Sequence, residues 1–124
     1  MIMKILVIED NAALRSTLRA TLEDFGFRVT EAVNGYEGIK VVEADHPDLV
    51  LTDIVMPEQD GFETISALRR SFPEIKIIAM TGGGPMGPED LLRVALKLGA
   101  SGCLMKPFTS DSLRMEIERV CAPD

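Results

Sequence analysis

The chain is 124 residues long, with 46% hydrophobic and 27% charged residues, the composition of one ordinary globular domain that buries roughly two thirds of its unfolded surface. Against 20 aspartates and glutamates stand 13 lysines and arginines, a net charge of -7, and no basic run is present to neutralise a track of phosphates, which excludes a nucleic-acid-binding module. Two cysteines, Cys103 and Cys121, without CxxC spacing, and a single histidine, His46, exclude a zinc site and a disulfide framework. The thiols are expected as small buried hydrophobes in a reducing cytoplasm.

The apolar run at the N-terminus is far shorter than a membrane span and has no basic leader, so it reads as a strand and no membrane association is expected. Its Ile5-Leu6-Val7-Ile8 is continuously apolar, as in a parallel strand covered on both faces. Asn11 then caps a helix carrying Leu14, Leu18 and Leu22 at intervals of four and closed by Gly26. Arg28–Ala32 alternates and carries charge, which suits a sheet edge. Asn34 caps a second helix with Tyr36, Ile39 and Val42, ending before His46-Pro47; His46 itself reads as a surface loop residue.

Leu49–Thr52 is the third strand, and Asp60 to Glu63 has capping-box spacing ahead of a helix with Ile65 and Leu68. Ile77–Met80 is the fourth strand. Pro88, Glu89 and Asp90 open a fourth helix with Leu91, Val94, Ala95 and Leu98, closed by Gly99. Cys103–Met105 is the last strand, and Thr109 or Ser110 caps a fifth helix with Leu113, Ile117 and Val120 on one stripe. Met56, Met80 and Met105 read as packing residues. Strict βα alternation, without the repeated side-chain signature of a solenoid, predicts one α/β domain with a parallel sheet and helices on both faces.

Ligands of such sheets sit beyond the carboxyl ends of the strands. The residues there are Glu9 and Asp10 after the first strand, Asp53 after the third, Thr81 after the fourth and Lys106 after the fifth. Singly, an aspartate at a strand end is a turn former or cap, and Thr81 merely opens a glycine loop. Their convergence on one face is what points to chemistry. Three crowded carboxylates need raised pKa values or a cation, and oxygen donors without His or Cys suit Mg²⁺. A carboxylate nucleophile, a cation, a lysine and a hydroxyl form the set needed to accept a phosphoryl group.

Across Ile5 to Val120 the chain resembles the receiver domains of two-component response regulators, the CheY-like family. The residues that carry the likeness are Ile8-Glu9-Asp10-Asn11, Asp53-Ile54-Val55-Met56-Pro57 through Asp60-Gly61, Met80-Thr81-Gly82, Gly99-Ala100-Ser101-Gly102 and Lys106-Pro107-Phe108. The resemblance implies a single flavodoxin-like (βα)₅ domain over residues 1–124 with strand order 2-1-3-4-5. It implies Asp53 as phosphoacceptor, charged from a phosphohistidine on a sensor kinase or phosphotransfer protein. Asp10, Asp53 and the Val55 backbone carbonyl would hold Mg²⁺ directly and Glu9 through water, while Lys106 and Thr81 bind phosphoryl oxygens. A cis Lys106-Pro107 bond is also implied.

Two departures stand out. The position three before the lysine, aromatic in receivers, is Cys103, so readout by a ring flip is not expected. The loop Thr81 to Pro88 is long, and four of its eight residues are glycine. It is expected to be mobile and, with the start of the fourth helix, to carry the phosphorylation-dependent change. Three alternatives stay open: an excised receiver of a longer regulator with an output domain after Asp124, an aspartyl-phosphate hydrolase, and an unphosphorylated pseudo-receiver. Asp53-Ile54-Val55 lacks the Asp-x-Asp of the hydrolases, and the acid triad with Lys106 argues against a pseudo-receiver. The chain is therefore read as a signalling phosphoacceptor rather than an enzyme.

Overall fold

A computed structural model describes residues 2–56, 61–82 and 87–122. Its elements are β1 (Lys4–Ile8), α1 (Ala12–Asp24), β2 (Arg28–Ala32), α2 (Gly35–Asp45), β3 (Leu49–Asp53), α3 (Gly61–Ser71), β4 (Lys76–Thr81), α4 (Pro88–Leu98), β5 (Gly102–Met105) and α5 (Ser110–Cys121). The strands form one parallel sheet in the order β2-β1-β3-β4-β5. This is the expected flavodoxin-like topology, with the charged, alternating β2 at one edge. Strand ends differ from the sequence reading by a residue or so.

Side chains of successive strand residues point to opposite faces, and both faces are covered, which is why the central strands are apolar throughout. Leu6, Ile8, Val50, Ile77 and Ala79 pack against Val42, Ile65, Leu68, Leu91 and Ala95 of α2 to α4. Ile5, Val7, Leu49, Leu51, Ile78 and Met80 pack against Leu18 and Leu22 of α1 and Leu113, Ile117 and Val120 of α5. Asn11 Oδ1 accepts the Leu14 N–H at 2.9 Å and Asn34 Oδ1 the Glu37 N–H at 2.9 Å. Of the two candidate caps of α5, Thr109 serves, exchanging side-chain bonds with Ser112 at 3.0 Å in each direction. The Asp60 cap expected for α3 lies outside the described residues.

Three readings need correction. Tyr36 is 56% and Met105 48% exposed, because Tyr36 sits on the outer side of α2 and β5 is an edge strand with one face toward solvent. Cys103 and Cys121 are free thiols, but half-buried rather than buried, on that edge strand and in the last turn of α5. Among the described residues no helix is long and apolar enough to cross a membrane.

Arg69 in the last turn of α3 ties the lower part of the fold together. Its Nε and Nη2 donate to the Gly99 carbonyl at 3.1 and 2.7 Å, and Nη1 donates to the carbonyls of Pro73 at 2.7 Å and Ile75 at 2.8 Å. Gly99 ends α4 with φ +120°, and a Cβ there would lie 2.8 Å from Arg69 Cγ, so glycine serves both the turn and the close approach. Arg69→Met keeps the stem and strips the donors. It is expected to cost about 2 kcal/mol, because carbonyls lose charge-assisted partners, measured as a lower urea midpoint with unchanged slope.

At the β5 edge, Glu116 of α5 accepts the Cys103 N–H at 2.8 Å and is itself held by Arg119 at 2.8 and 2.9 Å. Gly102 makes room for this: a Cβ there would lie 2.5 Å from the same Glu116 oxygen.

Candidate functional site

β1 and β3 are hydrogen-bonded neighbours with Ile8 opposite Thr52, so the residues that follow, Glu9 and Asp53, emerge side by side at the carboxyl end of the sheet. Glu9 extends the β1–β2 pairing by one bond, its N–H donating to the Ala32 carbonyl at 3.1 Å. Glu9 is 1% and Asp53 6% exposed, whereas Asp10, the next residue, is exposed. One oxygen from each of Glu9, Asp10 and Asp53 lies within 4.8 Å of the others. That spacing matches oxygens around one small ion, since ligands ~2.1 Å from Mg²⁺ on opposite sides are about 4.2 Å apart. The donor set is oxygen only, so these residues fit a hard divalent cation.

Lys106 follows β5. Its Nζ donates to Glu9 Oε1 at 2.7 Å and lies 3.4 Å from Asp53 Oδ1, and its bond to Pro107 is cis, as expected. The Lys106 N–H donates to the Thr81 carbonyl at 2.8 Å, which fixes the strand-end lysine beside the strand-end threonine. Thr81 is fully buried. Val55, two residues past Asp53, has its side chain 51% exposed. Gly83 and Gly84, and most of the glycine loop expected to respond, lie outside the described residues.

Burial pushes the Asp53 carboxyl up to about 6, aided by the neighbouring Glu9 charge and opposed by Lys106 and by the Ile54 N–H, which donates to Oδ1 at 2.9 Å. The pocket is thus an acid-rich site in which one lysine serves two buried carboxylates. At neutral pH the Asp53 group is mostly ionised, and it shares Lys106 with Glu9, which lies nearer the lysine Nζ.

Sequence reasoning missed the part played by Gly61, which entered it only within the receiver signature and the stretch ahead of the third helix. Its N–H donates to the Ile54 carbonyl at 2.8 Å, and a Cβ would lie 2.5 Å from both the Asp53 carbonyl oxygen and Ile54 Cα. The start of α3 therefore presses on the backbone directly behind Asp53, an approach open only to glycine. Its position eight residues after Asp53 was the available signal, but the contact itself depends on the returning turn.

The family model of the response regulator receiver domain matches residues 5–118, and the chain belongs to that family. It is 32% identical over 118 residues to the chemotaxis protein CheY of Listeria monocytogenes, covering 94% of this chain and 97% of that one. It is 30% identical over 116 residues to sporulation initiation phosphotransferase F of Bacillus subtilis, covering 94% and 91%. The fold superposes on a receiver domain protein from Clostridium thermocellum with a TM-score of 0.89 at 30% identity, over 96% and 94% of the two chains.

Proposed function

We propose that this chain is a phosphoacceptor of two-component signalling, one cytoplasmic receiver domain over residues 1–124. It takes a phosphoryl group at Asp53 from a phosphohistidine on a sensor kinase or histidine phosphotransfer protein. It then changes its affinity for a downstream protein or output domain. The observation that carries the reading is Lys106 Nζ set between Glu9 and Asp53, within an oxygen-only acidic cluster, in a chain of the receiver family.

The Asp53 carboxylate attacks phosphorus, the phosphorus–nitrogen bond breaks, and the imidazole leaves with the electron pair. Asp10, Asp53, the Val55 carbonyl and, through water, Glu9 would hold Mg²⁺, which supplies neutralisation of the phosphoryl oxygens. Lys106 gives up Asp53 and takes one phosphoryl oxygen, and the Thr81 hydroxyl donates to another. The phosphoryl adds about 1.5 to 2 negative charges and three acceptor oxygens, enough to reposition both groups. The chain is not an enzyme in the ordinary sense, since it promotes only its own phosphorylation and a slow loss of the group.

Incubation with a phosphohistidine-loaded phosphotransfer protein and Mg²⁺ tests the reading by intact mass. Transfer of one phosphoryl group to this chain is expected. Retention of the group on several such donors, or steady turnover of a small phosphoester, speaks for a pseudo-receiver or a hydrolase instead. The transferred group is expected to persist, because the apolar Val55 side chain, exposed at the mouth of the site, cannot hold a water for in-line attack. Val55→Asn supplies an amide there and is expected to shorten the phosphoryl lifetime severalfold, followed by phosphate release; equal or longer persistence in the variant contradicts the argument.

A further inference from the structure

The acidic cluster has a support that none of its own side chains provides. Among the described residues, nothing bonds the Asp10 carboxylate, so its place is set by its backbone and above all by the Glu9–Asp10 peptide. On one side that stretch is tied by the Glu9 N–H to Ala32. On the other, the Glu9 carbonyl accepts a bond from Arg15 Nη1 at 2.8 Å. Arg15 lies one turn into α1 and is itself aimed by a second bond, Nε to Glu31 Oε1 of β2 at 3.0 Å. Glu31 has its other oxygen on Arg19 Nη1 at 2.7 Å. Hydrogen bonding to Arg19, more than to Arg15, holds the Glu31 carboxyl below its usual range.

We infer that Arg15 is a positioning residue for cation binding, clamping the Glu9 carbonyl so that the carboxylates on either side of that peptide converge with Asp53. The inference rests on the reading of the cluster as a Mg²⁺ site. The planar fork of arginine suits the task, because two of its nitrogens serve two acceptors at a fixed angle. The Glu31 charge answers the guanidinium, so the clamp adds no net positive charge to repel a cation. Partners that orient ligating groups commonly carry tenfold or more of the metal affinity.

Mg²⁺ titration by calorimetry on the metal-free full chain tests this, with urea unfolding run on each variant. Arg15→Met is expected to weaken Mg²⁺ binding about tenfold, and Glu31→Gln, which leaves the fork less well aimed, by a smaller factor. Arg19→Met removes a bond to the same Glu31 but leaves both Arg15 bonds in place; its Mg²⁺ affinity is expected to fall less than that of either other variant. If Arg15→Met does not fold, the contrast of Glu31→Gln with Arg19→Met carries the test. Unchanged affinity in Arg15→Met or, failing that, in Glu31→Gln overturns the inference, as does an equal loss in Arg19→Met, which marks a general loss of stability. An unaltered chain that takes up no Mg²⁺ overturns the cation site and the inference together, whereas binding there with no effect of Arg15 overturns the inference alone.

Discussion

Replacing Asp53 with asparagine is expected to abolish labelling by acetyl phosphate in the presence of Mg²⁺. The chain has 20 acidic side chains, but the others near the site are poorly suited. Glu9 is buried and its Oε1 is engaged by Lys106 at 2.7 Å, and Asp10 is exposed and has no lysine bonded to it among the described residues. Both Glu9 oxygens are engaged, Oε1 by Lys106 and Oε2 by the Asn11 N–H at 3.2 Å, whereas Asp53 combines its place in the cluster and a lysine 3.4 Å from Oδ1 with a second oxygen that nothing bonds among the described residues. Chelation of Mg²⁺ should stop labelling of the unaltered chain as well, because an acidic pocket without its counter-charge repels an incoming phosphate. Intact-mass measurement decides the matter, and a variant that still gains one phosphoryl group to a similar extent rules out the assignment.

The same substitution is expected to stabilise the metal-free fold at neutral pH. Asp53 titrates near 3.8 in an unfolded chain and about 6 in the folded one, so the folded state holds the proton more tightly and stability falls as pH rises from about 4 to above 6. Complete ionisation costs roughly 3 kcal/mol, at ~1.4 kcal/mol for each tenfold change in proton affinity. Asparagine carries no such penalty. Urea unfolding in chelator should therefore show Asp53→Asn to be the more stable by up to about 3 kcal/mol at pH 7, with the gap closing as pH falls below 3.8, where the carboxyl is mostly protonated in both states. Added Mg²⁺ should narrow it at pH 7 by binding the folded unaltered chain. Equal stability of the two proteins at pH 7 in chelator speaks against a buried, strained carboxylate.

Much of this architecture was legible because it rests on local patterns. Asn11, Asn34 and Thr109 act as caps wherever they stand in the fold, and the continuous apolar runs of β1, β3 and β4 require a sheet covered on both faces. Glu9, Asp10, Asp53, Thr81 and Lys106 were legible as a group because parallel topology carries every strand end to one side. The contacts that join them were not. Lys106 bonds Glu9 across 97 positions, and Arg15 bonds both the Glu9 carbonyl and Glu31 on a separate strand. Arg69 was not singled out, since its acceptors, Gly99 after α4 and Pro73 and Ile75 before β4, come within reach only in the packed fold. Tyr36 and Met105 were misread for the same reason: a periodic stripe indicates that a face is buried, but where that face runs out depends on the neighbours.

The acid that meets β5 from outside bears on how copies of this chain behave together. The Lys106 N–H bonds β4 through Thr81, so by the alternation of a parallel ladder the Cys103 N–H turns away from the sheet, where an open strand invites another to dock. Glu116 occupies that donor and Arg119 holds Glu116 in place, while the opposite border carries the charges of Arg28 and Glu31. A foreign strand arriving at β5 must first evict a charge-paired carboxylate. Strand addition at Cys103 is thereby opposed, and copies of this chain that associate at that border are expected to meet through side chains and helix faces rather than through a lengthened sheet.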